Sequence, residues 1–556
     1  MAMQAEEKTS VCLTMIVRDE AHIVHEVIEA TAPFIDCWVI VDTGSSDGTQ
    51  DVIRRLMAER GIPGELHERP WRDFGHNRSE ALELAQGHAD YIWMMDADDT
   101  ITGAIDFSGL SADAYFMRIR DGLTYWRVML FRNGVPWRYE GVLHEVARCD
   151  VPHTQERLQG DYQVHSRRLG ARSKDPRKYA RDAEVLQAFV DSNPDDSRST
   201  FYLAQSYLHS GDFANARLWY ERRAQMGGWD EEIFQSLHRA AEAMEKLGEP
   251  WPLVQQAYLA AWSYRPTRAE SLHAIARWYR INAQYVLGHH FAQTAAQIPL
   301  PVEDALFVIE SVYQWQALDE QAVCASWIGK SAESFAICRQ LLSQPEIPNE
   351  DRQRIAANRD LAVPHMLERA AVRPSEEVVQ SLAGPDADVM VTLVAGADLA
   401  SVELSINSFI NCCLDRERIS RFVVVREGLA ATDQARLLQH YPFVECVDAP
   451  SVGDSRYWLY LAKDYRFFAP ETYLTRMIAV LEAEPEIAQV GVNFDDVSTL
   501  SGTCAPEDSV RRTALGQRYV VAGAEIAGPV MIDTARFDNQ STSAATLDEV
   551  LCVAAH

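Results

Sequence analysis

Two aspartates, Asp96 and Asp98, follow directly after the apolar segment 89–95. Side chains alternate in extended chain, so residues separated by one position point to the same side. Two converging carboxylates repel each other unless a cation neutralises them, and a hard divalent ion takes such oxygen ligands together with substrate phosphates. The pair therefore predicts a metal site. A solvated turn is the alternative, because aspartate is a common turn residue.

A third aspartate, Asp42, ends the apolar segment 36–43 and precedes a turn of glycine, serine and aspartate. An acid at the end of a buried strand can accept hydrogen bonds from a nucleotide base or ribose. Within the turn, Ser46 or Asp47 would cap the helix that follows. Arg78 begins the next predicted helix and can reach a diphosphate, with a solvated helix-end charge as the alternative.

A histidine and a glutamate, His144 and Glu145, stand together 46 residues beyond the acidic turn, and His165 follows 20 residues after them. A carboxylate near a metal-bound diphosphate can deprotonate an acceptor hydroxyl or thiol. A neutral imidazole can complete a metal shell. Each residue taken alone is equally compatible with ordinary packing or surface exposure.

The elements that must position these residues follow one another in a regular order. Residues 10–18 and 36–43 read as buried strands separated by a helix over 20–33, and a turn and an amphipathic helix come next. This order predicts a parallel sheet with helices on its faces. Open sheets of this kind place ligands at the carboxyl ends of their strands, where the aspartates lie. Residues 113–148 alternate and predict antiparallel strands.

Residues 174–370 carry alanine, leucine and aromatic residues at helical spacing with almost no strand signal. Residues 201–223 are similar to a tetratricopeptide repeat, with Gly211 in the turn between its two helices. Gly248 and Asn282 take similar turn positions 37 and 34 residues further on, and the repeat period is 34. Such units bury their apolar faces only by stacking, which predicts a solenoid. The other matching positions are Leu203, Ala204, Tyr207, Ala216 and Tyr220.

A second α/β pattern follows the loop-like residues 375–387. The changes of pattern predict an α/β plus all-α chain of three domains. These are a catalytic α/β domain at 1–173, a helical repeat domain at 174–374 and a further α/β domain at 375–556.

The third region echoes the first, although the identities are few enough for coincidence to remain the alternative. Residues 38–44 align without gaps with 422–428, and residues 91–98 align with 457–464. If the duplication is real, the second copy has lost most of the acids of the first. The replacements are Asp42 by Arg426, Asp96 by Ala462 and Ala97 by Lys463, while Asp98 meets Asp464.

Composition excludes several classes of partner. The formal net charge of -29, from 81 acidic and 52 basic residues, argues against a nucleic-acid or anionic membrane surface. No apolar run approaches a membrane span, so no transmembrane segment is expected, and residues 1–10 lack the apolar core of a signal peptide. The ten cysteines have neither metal-binding nor disulfide spacing, which predicts reduced, mostly buried thiols in a cytoplasmic protein.

Together, these motifs resemble a family 2 glycosyltransferase of the GT-A fold. Their order is that of the family: CLTMIVRDEA, VDTGSSDGT, an Asn-Arg helix and the Asp-x-Asp turn in MMDADD. Residues 15–20 are similar to the MIVKNE opening of a bacterial subgroup. That subgroup carries a terminal His-Glu motif, here YEGVLHE, and often has tetratricopeptide repeats after the catalytic domain. Asp19 replaces the usual asparagine, and His76-Asn77-Arg78 stands where many members have Arg-Asn, so donor specificity stays open.

The resemblance implies an inverting transfer from a nucleoside diphosphate sugar, with a UDP-sugar as the first expectation, usually with Mn2+ or Mg2+. The third region resembles a decayed copy of the same domain, and a lysine at 463 would compete with a cation there. By position, the resemblance assigns nucleotide contacts to Val17, Arg18, Glu20, Asp42, Arg78 and Asp96, the metal to Asp96, Asp98 and His165, and catalysis to Glu145 with His144.

Two other functions fit parts of the pattern. Nucleotidyl transfer also uses strand-end acids and Mg2+, but its phosphate loop rich in glycine and basic residues is not evident near the first strand. The non-enzymatic alternative is a scaffold whose repeats bind partners and whose α/β domains are inert. The intact pair Asp96 and Asp98 argues against it. Repeat modules generally bind peptides, so a protein or peptide acceptor is expected, with a glycan or small molecule left open.

Overall fold

The structure is a computed structural model that forms two compact units. The first unit comprises Met1–Asn282 and His290–Ala317, and the second comprises Ala283–His289 and Leu318–His556. The structure describes residues 9–120, 124–167, 169, 176–344, 347–396, 398–450, 455–496, 509–514, 516–522, 528–536 and 544–554.

The first unit begins with a mixed sheet whose described strands run in the order β3-β2-β1-β4-β7-β6-β11-β5, with β10 beside β6. Strands β1 to β4 are parallel, and β7 is antiparallel to β4. The elements are β1 Val11–Val17, α1 Val24–Thr31, β2 Cys37–Asp42, α2 Thr49–Glu59, β3 Gly64–Glu68, α3 Phe74–Ala85, β4 Tyr91–Met94, β5 Asp99–Gly103, β6 Ala114–Arg120, β7 Thr124–Arg132, β8 Arg138–Glu140, β9 Val146–Arg148, β10 Gln155–Arg157 and β11 Tyr162–Ser166.

Strands β1, β2 and β4 are mostly apolar and buried along nearly their whole length, as expected for parallel strands covered on both faces. The apolar segments 10–18, 36–43 and 89–95 match these strands to within two residues at each end. The helix predicted over 20–33 begins only at Val24, because residues 21–23 form a turn. Strand β3 was not predicted, since it is an exposed edge strand without an apolar pattern.

Helices continue the first unit and confirm the predicted repeat architecture. Gly211 ends α5 with a φ of 83°, Gly248 follows α7 with a φ of 70°, and Asn282 ends α9. These are the three predicted turns. The helices of the first unit are α4 Lys178–Ser192, α5 Ser197–Ser210, α6 Phe213–Gln225, α7 Asp230–Lys246, α8 Trp251–Tyr264 and α9 Glu270–Ile281, and α10 Tyr285–Ala296 is divided between the two units.

After α10 the chain returns to the sheet of the first unit. The backbone N–H of Trp126 in β7 donates to the carbonyl of Ala305 at 3.4 Å. Arg157 donates to the carbonyls of Val302 and Glu303 at 3.0 and 2.8 Å. The segment 302–305 therefore closes the helical excursion against β7 and β10.

Among the described residues of the second unit, four helices precede a sheet of order β14-β13-β12-β15-β20-β17-β21-β19-β18, with β16 beside β21, and three more helices lie between its strands in sequence. Its elements are α11 Ala317–Trp327, α12 Ser331–Leu342, α13 Asn349–Ala370, α14 Glu376–Gln380, β12 Val389–Val394, α15 Leu399–Cys412, β13 Ile419–Val425, α16 Ala431–His440, β14 Val444–Val447, β15 Tyr457–Leu461, β16 Tyr465–Phe467, α17 Tyr473–Ala483, β17 Gln489–Asp496, β18 Arg511–Arg512, β19 Arg518–Ala522, β20 Val530–Asp533 and β21 Ala544–Ala554.

The two sheets pair their aligned segments in the same register. In the first sheet Leu13 pairs with Trp38 and Trp93, and in the second Val391 pairs with Phe422 and Leu459. The sequence alignment matched residues 38–44 with 422–428 and residues 91–98 with 457–464 independently. In both sheets the aligned residues pair with the central strand at equivalent positions. Six successive strands also correspond, β3-β2-β1-β4-β7-β6 in one sheet and β14-β13-β12-β15-β20-β17 in the other. The structure therefore supports the duplication.

The predicted fold class is confirmed as two α/β sheets with tetratricopeptide-like helices between them in sequence. The domain boundaries stay predictions, and the first of them, together with residues 1–8, lies outside the described residues. Within the described residues, no helix combines the length and apolar character that a membrane crossing requires. The cysteines of the described part are free thiols, and most are buried, as predicted.

Candidate active site

A cavity of about 1380 Å³ opens at the carboxyl edge of the first sheet. One wall comes from the loop after β1, the acidic turn after β4 and the start of α3. The other wall comes from the inner faces of α4 and α5. All of its lining residues belong to the first unit. Those predicted from the sequence are Val17, Arg18, Glu20, Arg78, Asp96, Asp98, His144 and Glu145.

Hydrogen bonds tie the loop after β1 to the turn after β2. Asp19 has a left-handed φ of 56°, and its carboxylate accepts the backbone N–H of Ser46 at 2.8 Å. Its own N–H donates to the hydroxyl of Ser45 at 2.9 Å. The carboxylate that replaces the family's usual asparagine therefore organises the turn.

Asp42 is buried at the end of β2. Its Oδ1 accepts the N–H groups of Gly44 and Ser45 at 2.9 and 2.8 Å. Its Oδ2 is buried and has no hydrogen-bond partner among the described residues. Asp42 does not line the cavity, although the next residue, Thr43, does. Asp47 accepts the N–H of Thr49 at 3.1 Å, where α2 begins, while Gly48 occupies the cap position itself.

Arg78 joins two of the predicted site residues. Its guanidinium donates to Oδ1 of Asp96 and forms an ion pair with Glu145 at 2.6 Å between Nε and Oε1. Arg127 donates to Oδ2 of the same Asp96 at 3.0 Å and reaches the buried Asp99 at 3.4 Å. These five residues are called the Arg78 network below.

The Arg78 network shifts the pKa values of Asp96 and Asp99 in opposite directions. Burial opposes ionisation of Asp96, but the charges of Arg78 and Arg127 outweigh it and hold the pKa of Asp96 well below its ordinary value. Burial acts first on Asp99 as well, and the neighbouring charge of Asp96 adds to it, so the pKa of Asp99 rises to about 7. The network therefore carries a permanent anion between two cations, with a titrating acid beside it.

Close backbone contacts place Arg78 and Glu145 together. Ser79 in α3 bonds to the backbone N–H of Tyr139 in β8 at 2.8 Å. A Cβ atom on Gly75 would lie 2.6 Å from the carbonyl oxygen of Gly141, so only glycine permits this approach of helix and strand. The ring of Tyr139 also lies against Arg78, 5.8 Å from the guanidinium carbon. This docking aims α3 at the loop that carries Glu145.

Two of the three predicted metal ligands are engaged elsewhere. Both carboxylate oxygens of Asp96 face guanidinium groups. His165 lies on β11 with Nε2 2.8 Å from the hydroxyl of Thr102, and its neighbour Ser166 lines the cavity instead. Across the described residues, no group of three or more His, Cys, Asp or Glu side chains is arranged to hold a metal ion. In this arrangement the predicted ligands do not fit a protein-held divalent cation.

Sequence reasoning missed Arg127 and Asp99 in the Arg78 network. Arg127 lies in β7 among aromatic and apolar residues, and an arginine on the inner side of such a strand was the available signal. Asp99 belongs to the same run of acids as Asp96, but nothing in the sequence marks it as the fully buried member.

Comparison with known proteins identifies the class of the N-terminal domain. Residues 14–105 match the family model of glycosyl transferase family 2. The chain therefore carries a family 2 glycosyl transferase domain, and its helical region is of the tetratricopeptide type. A search of curated proteins found no match.

Several solved structures are similar to parts of the chain. BtubC from P. vanneervenii has 11% identity and a TM-score of 0.28, with 35% of this chain and 84% of that chain covered. The C-terminal part of a TPR repeat-containing protein from Cytophaga hutchinsonii has 15% identity and a TM-score of 0.27, covering 36% and 79%. Mannosyltransferase PcManGT from Pyrobaculum calidifontis, in complex with GDP-Man and Mn2+, has 17% identity and a TM-score of 0.25, covering 46% and 86%. Similarity at these TM-scores is too partial to bear on function.

Proposed function

We propose that this chain is an inverting glycosyltransferase that moves a sugar from a nucleoside diphosphate to an acceptor bound in the same cavity. The observation that carries the proposal is the Arg78 network. It links Asp96, at the carboxyl edge of a family 2 domain, to Glu145 on the wall of the cavity. Open α/β sheets bind ligands at this edge.

Glu145 is the proposed general base. It removes the proton from an acceptor hydroxyl or thiol, and the acceptor atom then attacks the anomeric carbon of the donor. The bond from that carbon to the diphosphate oxygen breaks, and the nucleoside diphosphate leaves with the electron pair. A single displacement of this kind inverts the anomeric centre. Arg78 and Arg127 are paired with Asp96 of the acidic turn, and they compensate the charge of the leaving diphosphate.

The donor nucleotide is proposed to lie against Val17, Arg18 and Glu20, which line the cavity. The proposed hydrogen-bond partner of the base is the buried Oδ2 of Asp42, because an unpartnered buried carboxylate oxygen is costly. Asp42 does not line the cavity itself, so the base must reach it past Thr43, which does. A UDP-sugar is the first donor to test, because the N3–H group of uracil supplies such a donor.

No step is assigned to Mn2+ or Mg2+. Asp96 already has two guanidinium partners, and His165 lies against the hydroxyl of Thr102, so two of the three predicted ligands are held by other groups. Arg78 and Arg127 are proposed to compensate the charge of the diphosphate in place of a metal ion.

The acceptor is proposed to be a protein or peptide segment that lies along α4 and α5. Tyr179, Arg181 and Val185 of α4 and Tyr202 and His209 of α5 face the cavity at helical spacing. A cytoplasmic location is proposed with it, because the free cysteines of the described part suit a reducing compartment.

The test is a screen of nucleotide sugars for donor hydrolysis and transfer, run with Mn2+ and with EDTA. We expect consumption of one donor class that is retained in EDTA. Loss of turnover in EDTA and its return with Mn2+ would restore the metal-dependent mechanism. No consumption of any donor, together with peptide binding by the full chain, would favour the scaffold.

A further inference from the structure

The loop 141–145, which carries the proposed base, is anchored in the core of the helical repeat. Leu143 is 8% exposed and packs in an apolar cluster whose other buried members lie in α4 to α7 and at Leu306. Val142 packs against the same cluster. The loop therefore leaves the sheet, inserts two apolar side chains between repeat helices and returns to the cavity.

His144 connects this anchor to the base. Its imidazole stacks on the ring of Tyr202 in α5, with ring centroids 4.0 Å apart and planes 5° from parallel. The backbone of His144 has a φ of 53°, a left-handed conformation that a residue with a side chain rarely adopts. Such a conformation persists only where its surroundings enforce it. The stacking contact with Tyr202 holds the side chain of His144 in this conformation.

Arg198 holds the same residue through its backbone. Its Nε donates to the carbonyl of His144 at 3.1 Å, and its guanidinium lies 5.0 Å from the ring centre of Tyr202. Glu232 in α7 lies 3.7 Å from the other end of Arg198 and is itself held at 2.8 Å by the fully buried Arg223. Side chains of α5, α6 and α7 thus form a continuous set of polar contacts that ends on the backbone carbonyl of His144.

We infer that Tyr202 and Arg198 are positioning residues for Glu145, so that the helical repeat sets the geometry of catalysis. Glu145 directly follows His144, and on its other side the ion pair with Arg78 holds it at 2.6 Å. The base is thereby held between α3 of the sheet and α5 of the repeat. This inference rests on the proposed function, because it requires Glu145 to be the base.

The test compares three variants of the full chain. Tyr202→Ala removes the stacked ring, Tyr202→Phe keeps the ring without its hydroxyl, and Tyr207→Ala removes a tyrosine of the same helix that does not line the cavity. Transfer, donor hydrolysis by water and amide hydrogen exchange of residues 141–146 are measured for each.

We expect Tyr202→Ala to lower kcat by about 10–100-fold, as displacement of a catalytic group by about 1 Å does, with KM for the donor nearly unchanged. Hydrolysis and transfer fall by the same factor, because both use the base, and exchange of residues 141–146 becomes faster. Tyr202→Phe restores most of the rate that Tyr202→Ala loses. Tyr207→Ala lowers stability without slowing the folded enzyme.

Three results would overturn the inference. Unchanged exchange in Tyr202→Ala would mean that the stack does not hold the loop. Loss of transfer alone, with full donor hydrolysis, would make Tyr202 an acceptor contact. Full activity of Glu145→Gln, measured in parallel, would remove the base from the proposed function and the positioning role with it. The first two results leave the proposed function intact.

Discussion

The two sheets of this chain share six successive strands and differ in the polar residues at their carboxyl edges. In the first, Asp42 accepts two backbone N–H groups of the following turn. In the second, Arg426 stands at that position and pairs with the exposed Asp448 at 2.6 Å. The glycine two residues later is left-handed in both, with φ of 108° at Gly44 and 78° at Gly428. The turn is thus retained while its polar chemistry is not.

The acidic turn shows the same contrast. Asp96 lies between Arg78 and Arg127, whereas Ala462 takes its place in the second sheet and a lysine follows it. Apolar strands are retained because they build the core, and edge residues diverge because packing does not require them. Apolar strand residues therefore maintain the fold, and a separate set of polar edge residues forms the site.

The largest expected effect belongs to Glu145→Gln, which keeps the shape of the side chain and removes its basicity. Because general base catalysis contributes about 100–10,000-fold, we expect kcat to fall within that range while donor affinity stays nearly unchanged. Steady-state kinetics and calorimetry of donor binding measure the two quantities. A defect confined to donor binding would mean that Glu145 serves to hold Arg78 and is not the base.

The next largest effect concerns Asp98, the one acid of the turn that the second sheet keeps, as Asp464. Asp98→Asn should lower transfer by about 100-fold or more, because its carboxylate lines the cavity, where an anion stabilises the positive charge that develops at the anomeric carbon of the donor. Asp464→Asn, the equivalent change in the second sheet, should leave transfer unchanged. Thermal unfolding of both variants should match the parent chain. Equal losses of transfer activity in Asp98→Asn and Asp464→Asn would mean that the carboxyl edges of both sheets take part in the reaction.

A smaller effect concerns stability and pH. The pKa of Asp99 is raised from 3.8 to about 7, so its contribution to stability is full below about pH 4 and is lost as pH rises through 7. Asp99→Asn removes this dependence. The unfolding free energy of the parent, relative to the variant, should fall by about 2–4 kcal/mol between pH 4 and 7.5. Tyr465 occupies the equivalent position in the second sheet. Parallel curves for parent and variant in denaturant titrations would contradict the buried-acid assignment.

The smallest expected effect is none. Lys463→Ala should change neither donor affinity nor turnover, because the second edge has lost the acids of the first. Calorimetry of the full chain should find one donor bound per chain. Two donors bound per chain would make the second sheet a working site.

Sequence reasoning predicted the parallel strands and the repeat turns because each depends on local pattern. The apolar runs of β1, β2 and β4 are continuous, and Gly211 and Gly248 mark turns that need a left-handed residue. It also selected Asp96, Arg78 and Glu145, which the structure brings together in the Arg78 network. Their roles stay predictions.

What the sequence did not predict depends on contacts across long separations. Tyr202 reads as an ordinary repeat aromatic until its ring is found on His144, 58 residues earlier in the chain. Arg127 and Asp96 meet across β4 and β7, and no local pattern records that pairing. His165 was expected at a metal, but alternation along β11 turns it toward Thr102.

The return of the chain to the first sheet has a consequence for how the protein is made. The wall of the cavity includes residues 305–307. Glu231 accepts the backbone N–H groups of Ala305 and Leu306, both at 2.7 Å, and the ring centres of Phe307 and Tyr125 lie 5.8 Å apart. A nascent chain that has emerged from the ribosome only as far as β11 has the strands of the sheet but lacks that wall. Completion of the cavity therefore waits for roughly 140 further residues, a delay of about 7–28 s at 5–20 residues per second. During that interval the backbone N–H of Trp126 in β7 and the aromatic ring of Tyr125 lack the partners that residues 305–307 supply, so they are open to contacts with other chains or with a chaperone.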